Sequence, residues 1–226
     1  MKHVIITGTS RGIGFELAQQ FAKNNFQVLA LSRNKKPLDD LKLKNITTLS
    51  VDVCKQEDIE KVSNFIQENW QEVDILIHNA GFLINKPFEN LTKNDFLRVY
   101  DVNVFGVAEL TRICIPFLKK GSHVVTISSM GGIQGSLKFP GLAAYSSSKA
   151  AIASLSECLA EELKKDNIKV NCLALGAVNT EMLSSAFPGY TAQMQPKDMA
   201  KYIVRFAMKD YQFINGKIIP ISFSTP

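Results

Sequence analysis

The length, composition and charge of the chain limit the classes of protein to which it can belong. Its 226 residues are 46% hydrophobic and 21% charged, which suits a folded α/β chain with a sizeable core and argues against disorder. The formal charge of +5 comes from scattered lysines and arginines, without the basic stripe that a nucleic-acid-binding face needs.

Short apolar runs alternate with amphipathic windows along the chain. The predicted strands cover residues 4–6, 28–31, 46–51, 73–77, 124–128, 168–175 and 217–221. The predicted helical segments cover residues 12–23, 56–70, 95–118, 144–164 and 197–208. This pattern indicates a doubly wound α/β fold, with a predominantly parallel seven-stranded sheet between two layers of helices. Because no linker or repeat divides the chain, we expect one domain over residues 1–226.

The first strand and first helix are joined by a glycine-rich turn, TGTSRGIG, at residues 7–14. A dinucleotide site needs such a turn, because its backbone must approach the phosphate oxygens at the N-terminus of the helix. The turn lacks the Gly-Lys-Ser/Thr sequence of a nucleoside triphosphate loop. The candidate pyrophosphate-binding residues are Gly8, Ser10, Gly12, Ile13 and Gly14.

The long predicted helix carries Tyr145 and Lys149 at positions i and i+4, on one face. A nearby ammonium favours a phenolate, so Lys149 is expected to lower the tyrosine pKa toward neutrality. Just before this helix, the fifth strand ends in Ser128 and Ser129, and a hydroxyl there is able to hydrogen-bond a substrate carbonyl. Taken alone, the Tyr-x-x-x-Lys spacing is common in helices and more often structural than catalytic.

The glycine turn and the Ser, Tyr and Lys positions together resemble the short-chain dehydrogenase/reductase family, a resemblance that covers nearly the whole chain. It implies that Tyr145 is the general acid in reduction and that Lys149 lowers its pKa and holds the nicotinamide ribose. It also implies that Ser129, rather than Ser128, polarises the carbonyl, and that Asn103 supports a water between Lys149 and solvent.

The resemblance extends to the cofactor site. It places the Asp52 carboxylate and the Val53 backbone at the adenine, although Asp52 has a capping or loop role as the alternative. The turn Asn79-Ala80-Gly81 backs the adenosine ribose, and the residue before it, usually Asn, is His78, for which we expect a structural role. The loop after the sixth strand is implied to close over the nicotinamide through Gly176, Val178 and Thr180. Leu175 stands there in place of the usual proline, so this loop is expected to be looser.

Two arginines bear on the choice of cofactor. The second strand ends at Ser32-Arg33 with no carboxylate to bond the ribose 2′-hydroxyl of NAD, and Arg11 lies inside the glycine turn. In the family, basic residues at these positions imply NADP(H), with NAD(H) as the alternative. The expected function is therefore hydride transfer between NADP(H) and a small-molecule carbonyl or secondary alcohol.

The substrate is not identified by the sequence. A short lid, residues 181–195, and an extended loop, residues 131–142, suggest a partly hydrophobic pocket, although their apolar side chains suit a core or an interface equally well. Activity as a 3-oxoacyl-[acyl-carrier-protein] reductase is one alternative, weakened by the short lid and the lack of a terminal Gly-Gly. A non-catalytic dinucleotide-sensing regulator is another, weakened by the retention of all four catalytic positions.

The remaining expectations concern partners and location. The family forms subunit contacts through helices around residues 104–118 and 144–164, so we expect a homodimer or homotetramer. Four widely spaced cysteines without a C-x-x-C pair argue against a metal site or a disulfide framework. No secretory leader or membrane span is evident, which indicates a cytoplasmic protein with no membrane partner.

Overall fold

A seven-stranded parallel sheet forms the centre of the protein, as seen in a computed structural model that describes residues 1–223. Its strand order is β3-β2-β1-β4-β5-β6-β7, and every neighbouring pair runs parallel. Strands β1 to β7 are Lys2–Thr7, Phe26–Ser32, Ile46–Ser50, Val73–His78, Leu118–Ser129, Lys169–Leu175 and Ile218–Ile221. The order reverses at β1 and β4, the place where doubly wound sheets bind ligands beyond their carboxyl ends. The predicted fold class is confirmed.

Helices cover both faces of this sheet. Helices α1 to α8 are Gly12–Lys23, Lys36–Asp39, Gln56–Asn69, Lys93–Tyr100, Gly106–Cys114, Ala143–Glu162, Glu181–Ala186 and Pro196–Met208. Leu17 and Phe21 of α1 pack with Phe206 of α8 in one hydrophobic core. Ile59 of α3 and Leu110 of α5 belong to a second core on the other face. Within residues 1–223, no helix has the length and hydropathy needed to cross a bilayer.

The helical material predicted for residues 95–118 differs most from the structure. Helix α4 begins earlier, because Thr92 and Asp95 form a reciprocal capping box at its N-terminus. A π-helical turn, Asp101–Phe105, then separates α4 from α5. Helix α5 ends at Cys114, two residues before Pro116, whose backbone has no N–H to continue the helix. The sequence also missed the short helix α2.

His78 is buried at the end of β4, and its Nε2 lies 2.8 Å from the Thr111 hydroxyl. Burial lowers the pKa of His78 to about 3 and that of His123 to about 3, so both are neutral in the folded protein. The unfolded chain therefore binds protons first as the pH falls below about 6.5, and stability decreases from there toward about pH 3.

We expect His78→Asn to weaken this acid destabilisation. Between pH 6.5 and pH 5, neutral burial of His78 costs about 2 kcal/mol of unfolding free energy, at roughly 1.4 kcal/mol per pH unit. Urea unfolding at pH 7.5 and pH 5.0 measures the loss in both proteins. An equal loss in the variant and the wild type would contradict the assignment.

Candidate active site

The glycine-rich turn adopts a backbone that other residues disfavour. Gly8 and Gly12 have φ values of +73° and +57°, in the left-handed region. The Gly8 amide donates to the Leu31 carbonyl at 2.8 Å, which fixes the turn to β2. From the other side, Asn79 Nδ2 donates to the carbonyls of Thr7 and Gly8 at 3.0 and 3.2 Å. The turn is therefore held between the ends of β2 and β4, open to the cleft above the sheet.

Gly14 is required for a different reason, the close approach of α1 to the turn. A Cβ on Gly14 would overlap the Gly8 carbonyl oxygen and approach Asn79 Nδ2. We expect Gly14→Ala to cost about 1–3 kcal/mol in stability and to abolish tight dinucleotide binding, because a backbone carbonyl has no alternative rotamer. Thermal unfolding and fluorescence titration with NADPH measure the two effects.

Gly121→Ala is the matched control for this substitution. Gly121 has a φ of +91°, a backbone strain that Gly14 does not share, but nothing lies within 4 Å of an added Cβ. It should lower stability modestly and leave NADPH affinity unchanged. If both variants lost the same stability and the same NADPH affinity, close packing at Gly14 would not be the reason that this position needs glycine.

The cleft reaches the ends of β2 and β3, where the sequence placed the adenosine site. It has a volume of about 1010 Å³, and its lining includes Arg11, Arg33, Asp52 and Val53. Both arginines are exposed, and none of the ion pairs within residues 1–223 involves either of them. Asp52 has the loop role that was the alternative for it, since its Oδ1 accepts from the Cys54 amide at 3.1 Å.

Tyr145 and Ser129 meet on the opposite side of the same cleft. Burial raises the pKa of Tyr145 to about 12, and a hydrogen bond with the Ser129 side chain opposes that rise. The neighbouring Ser128 is buried, and its hydroxyl donates to the Lys149 carbonyl at 2.7 Å. The structure thus brings Ser129, and not Ser128, to the phenol.

Lys149 is buried beneath Tyr145. Its Nζ donates to the Ile127 carbonyl at 2.8 Å and lies 5.7 Å from the centre of the Tyr145 ring. Burial lowers the pKa of Lys149 to about 8. The expected lowering of the Tyr145 pKa by Lys149 is not seen, because burial of the phenol outweighs the other influences on it.

Asn103 lies in the π-helical turn, and its carboxamide is fully bonded. Oδ1 accepts from the Phe82 amide at 2.8 Å, while Nδ2 donates to the Phe82 carbonyl and to the Ser148 hydroxyl, each at 2.9 Å. These bonds link the loop after β4 to α6, the helix that carries Tyr145. Asn103 therefore positions α6 against the loop after β4.

Comparison with known protein families identifies the family to which the chain belongs. The model of the family described as short chain dehydrogenase matches residues 2–191, most of the chain. This chain is a short-chain dehydrogenase/reductase.

Individual members of the family show how far the likeness extends. Dehydrogenase/reductase SDR family member 4 of Mus musculus is 29% identical over 100% of this chain and 87% of its own. The crystal structure of 3-ketoacyl-(acyl-carrier-protein) reductase from Brucella melitensis complexed with NADH has a TM-score of 0.89 and 25% identity, covering 98% of this chain and 96% of that one. ElxO with NADP bound has a TM-score of 0.86 and 27% identity, covering 98% and 97%. These relatives support a nicotinamide dinucleotide cofactor without fixing which one.

In this short-chain dehydrogenase/reductase, the loop after β6 is anchored by the sheet. Leu175, in the place of the usual proline, is buried and pairs with Ser129 on β5 and Ile221 on β7. The Gly176 amide donates to the Ile221 carbonyl at 2.8 Å, so the loop begins from a fixed point rather than a loose one. Thr180 caps α7, with its hydroxyl accepting from the Leu183 amide at 3.3 Å.

The remaining predicted cofactor residues also reach the cleft. Its lining includes Gly8, Ser10, Gly12, Ile13, Asn79, Ala80, Gly81, Gly176, Val178 and Thr180. Gly14 lies behind the turn and acts on its packing. Sequence reasoning placed Thr7 in the glycine-rich turn but missed its role: its hydroxyl accepts from the amides of Asn79 and Ala80 at 3.0 and 2.9 Å.

Proposed function

We propose that this chain is an NADP(H)-dependent reductase that interconverts a carbonyl compound and its secondary alcohol. The observation that carries the proposal is the Ser129–Tyr145 pair above the buried Lys149, facing a cleft that also contains the glycine turn. A hydrogen-bonded hydroxyl and phenol beside a dinucleotide cleft form a proton-transfer site.

The residues at the cleft fit a dinucleotide phosphate. The turn at Gly8 and Gly12 leaves backbone open at the N-terminus of α1, where an anion is favoured, and Gly12, unlike Gly14, is not tightly packed. Arg11 and Arg33, both without an acidic partner in the described chain, suit the 2′-phosphate of NADP(H). NAD(H) is the alternative cofactor. When bound, the dihydronicotinamide supplies the hydride that reduces the carbonyl carbon.

The chain's own residues bind and protonate the carbonyl oxygen of the substrate. The Ser129 hydroxyl hydrogen-bonds the carbonyl oxygen and orients it toward Tyr145. The raised pKa of Tyr145 keeps the phenol protonated at neutral pH, so it has a proton to give as negative charge develops on that oxygen. Lys149 stabilises the resulting phenolate, because its ammonium lies over the same ring. In the direction of alcohol oxidation, Tyr145 takes the proton back.

An NADPH-oxidation screen over neutral ketones, aldehydes and acyl thioesters tests this function. Consumption of NADPH with at least one carbonyl compound is expected, with NADH less effective. Turnover restricted to an acetoacetyl thioester would instead favour the 3-oxoacyl-[acyl-carrier-protein] reductase alternative, which the Brucella melitensis neighbour supports. NADPH binding with no turnover of any carbonyl would favour the dinucleotide-sensing regulator.

The proposal includes one domain over residues 1–226 and assembly into a homodimer or homotetramer. Exposed Leu97 of α4 and Phe105, immediately before α5, provide apolar surface for subunit contact. The four cysteines are free thiols, which suits a reducing compartment such as the cytoplasm. Sedimentation velocity measures the oligomeric state directly.

A further inference from the structure

Beyond Ser129 and Tyr145, the cleft ends in an apolar region formed by two segments of the chain. One is the loop between β5 and α6, and the other is α7 with the residues that follow it. The side chains that line this apolar end are Met130, Leu137, Phe139, Leu142, Met182 and Phe187. They begin one residue after Ser129, so the apolar end adjoins the site where the carbonyl reacts.

Part of this apolar surface is exposed. Leu137, Phe139 and Tyr190 are 55%, 47% and 53% exposed, although large apolar side chains usually avoid water. Phe139 and Phe187 meet edge to face across the two segments, with ring centroids 6.0 Å apart. An apolar ligand seated here would remove this surface from water, which is the main source of affinity in such pockets.

The two segments are held in place by a third, the chain after β4. Asn85 Nδ2 donates to the Ala186 carbonyl at 2.7 Å, at the end of α7. The Lys86 amide donates to the Gly141 carbonyl at 3.0 Å, in the loop before α6. The aromatic pair is therefore supported on both sides, so its separation is set by the fold.

The two lysines near the apolar end are bonded to other groups of the chain. The Lys138 ammonium donates to the Ile133 carbonyl and the Ser136 hydroxyl, and Lys86 pairs with Asp95 at 3.0 Å. Arg98 lies over the Phe82 ring, on the α4 wall of the cleft. Glu181 also lines the cleft, but its carboxylate lies at the glycine turn, with Oε2 3.6 Å from the position of a Cβ on Gly12. The two lysines beside the apolar end are thus already bonded within the chain, which weakens their attraction for a carboxylate or phosphate on the substrate.

We propose that the substrate is an uncharged carbonyl compound whose aliphatic or aromatic body lies against Phe139 and Phe187. This inference rests on the proposed function for its reactive carbonyl, and it assigns the two phenylalanines as specificity-determining residues. It predicts that affinity grows with the apolar length of the substrate and falls when the substrate carries a negative charge.

Turnover of two matched substrate series tests the proposal. Straight-chain methyl ketones of four to ten carbons should show kcat/KM rising about fourfold for each added methylene until the apolar end is filled. The 2-oxo acids of the same length should be at least tenfold poorer. A flat methyl ketone series, or preference for the 2-oxo acids, would overturn the proposal while leaving carbonyl reduction intact.

Variants connect the chain-length effect to the aromatic pair. Phe139→Ala and Phe187→Ala should each flatten the dependence of kcat/KM on chain length, so that the loss relative to the wild type grows from the four-carbon to the ten-carbon ketone. Phe213→Ala is the control, because Phe213 is 91% exposed and outside the cleft. Thermal unfolding confirms that each variant is folded. Unchanged chain-length dependence in both cleft variants would contradict their assignment.

A binding series separates this inference from the proposed function. Straight-chain primary carboxamides of the same lengths are not reduced, so their binding to the NADPH-bound protein is independent of turnover. Their Kd should fall about fourfold per methylene in the wild type and less steeply in Phe187→Ala. If amide binding follows this pattern while no carbonyl is reduced, the reductase proposal fails and the apolar-ligand assignment stands. If amide affinity is independent of length, the apolar-ligand assignment fails.

Discussion

Replacing Tyr145 by Phe is expected to lower kcat by about 10²- to 10⁴-fold, the usual contribution of a positioned general acid. The substitution removes only the hydroxyl group that is proposed to protonate the substrate, and it keeps the aromatic ring of residue 145. Tyr145 is half-buried and lines the cleft beside Ser129. Initial rates of NADPH oxidation with the best carbonyl substrate measure the loss.

The same variant should still bind NADPH, because the glycine turn and both arginines are unchanged. Tyr202→Phe is the control, since Tyr202 lies on α8 and stacks on Phe206 in the opposite helix layer. Its kcat should match the wild type. If Tyr145→Phe retained more than a tenth of wild-type kcat, Tyr145 would not be the proton donor.

The pKa values of Tyr145 and Lys149 set their protonation states at neutral pH. A phenol with a raised pKa stays protonated at neutral pH, but it is a weaker acid than an ordinary phenol. Lys149, with a pKa lowered to about 8, changes charge at the upper end of the physiological range. At neutral pH both side chains therefore carry a proton.

The sheet was predictable from the sequence because its signals are local. The apolar runs at β1, β2 and β4 are bounded by turn residues, and burial on both faces leaves few other structures for them. The glycine turn was predictable for the same reason. The start of β5 was not: residues 118–123 include two lysines and Gly121, and their place in the sheet depends on pairing with β4.

The interruption between α4 and α5 could not be predicted from local sequence patterns. Periodicity alone extends one helix through residues 95–118, yet Asn103 bonds both the Phe82 backbone and Ser148. Those partners lie 21 and 45 residues away along the chain. A π-helical turn that serves tertiary contacts of this kind leaves no short-range pattern in the sequence.

The choice between Ser128 and Ser129 also depended on tertiary structure that the sequence does not reveal. Adjacent residues in a strand point to opposite faces, so one of the two must face away from Tyr145, but their order depends on the register of β5. The structure turns Ser128 toward the Lys149 backbone and Ser129 toward the phenol. Likewise, the link from Asn85 to α7 spans 101 residues and has no sequence signal.

Replacing Arg33 by Asp should reverse the cofactor preference. Arg33 is exposed at the end of β2 and lines the cleft, without an acidic partner in residues 1–223. Loss of a charge-assisted bond to the 2′-phosphate lowers kcat/KM for NADPH about 10- to 100-fold, and the new carboxylate adds repulsion. For NADH, the aspartate accepts a hydrogen bond from the ribose 2′-hydroxyl, so kcat/KM should be maintained or rise.

Steady-state kinetics with both cofactors at one saturating carbonyl concentration measure this reversal. Lys36→Asp is the matched control, because it makes the same change of charge at an exposed position outside the cleft lining. That variant should keep the wild-type preference for NADPH if the effect of Arg33 is local rather than a consequence of net charge. A wild-type protein that uses NADH as well as or better than NADPH would overturn the assignment of Arg33. The lack of a carboxylate at the end of β2 would then need a different explanation, with the ribose hydroxyl bonded by backbone alone.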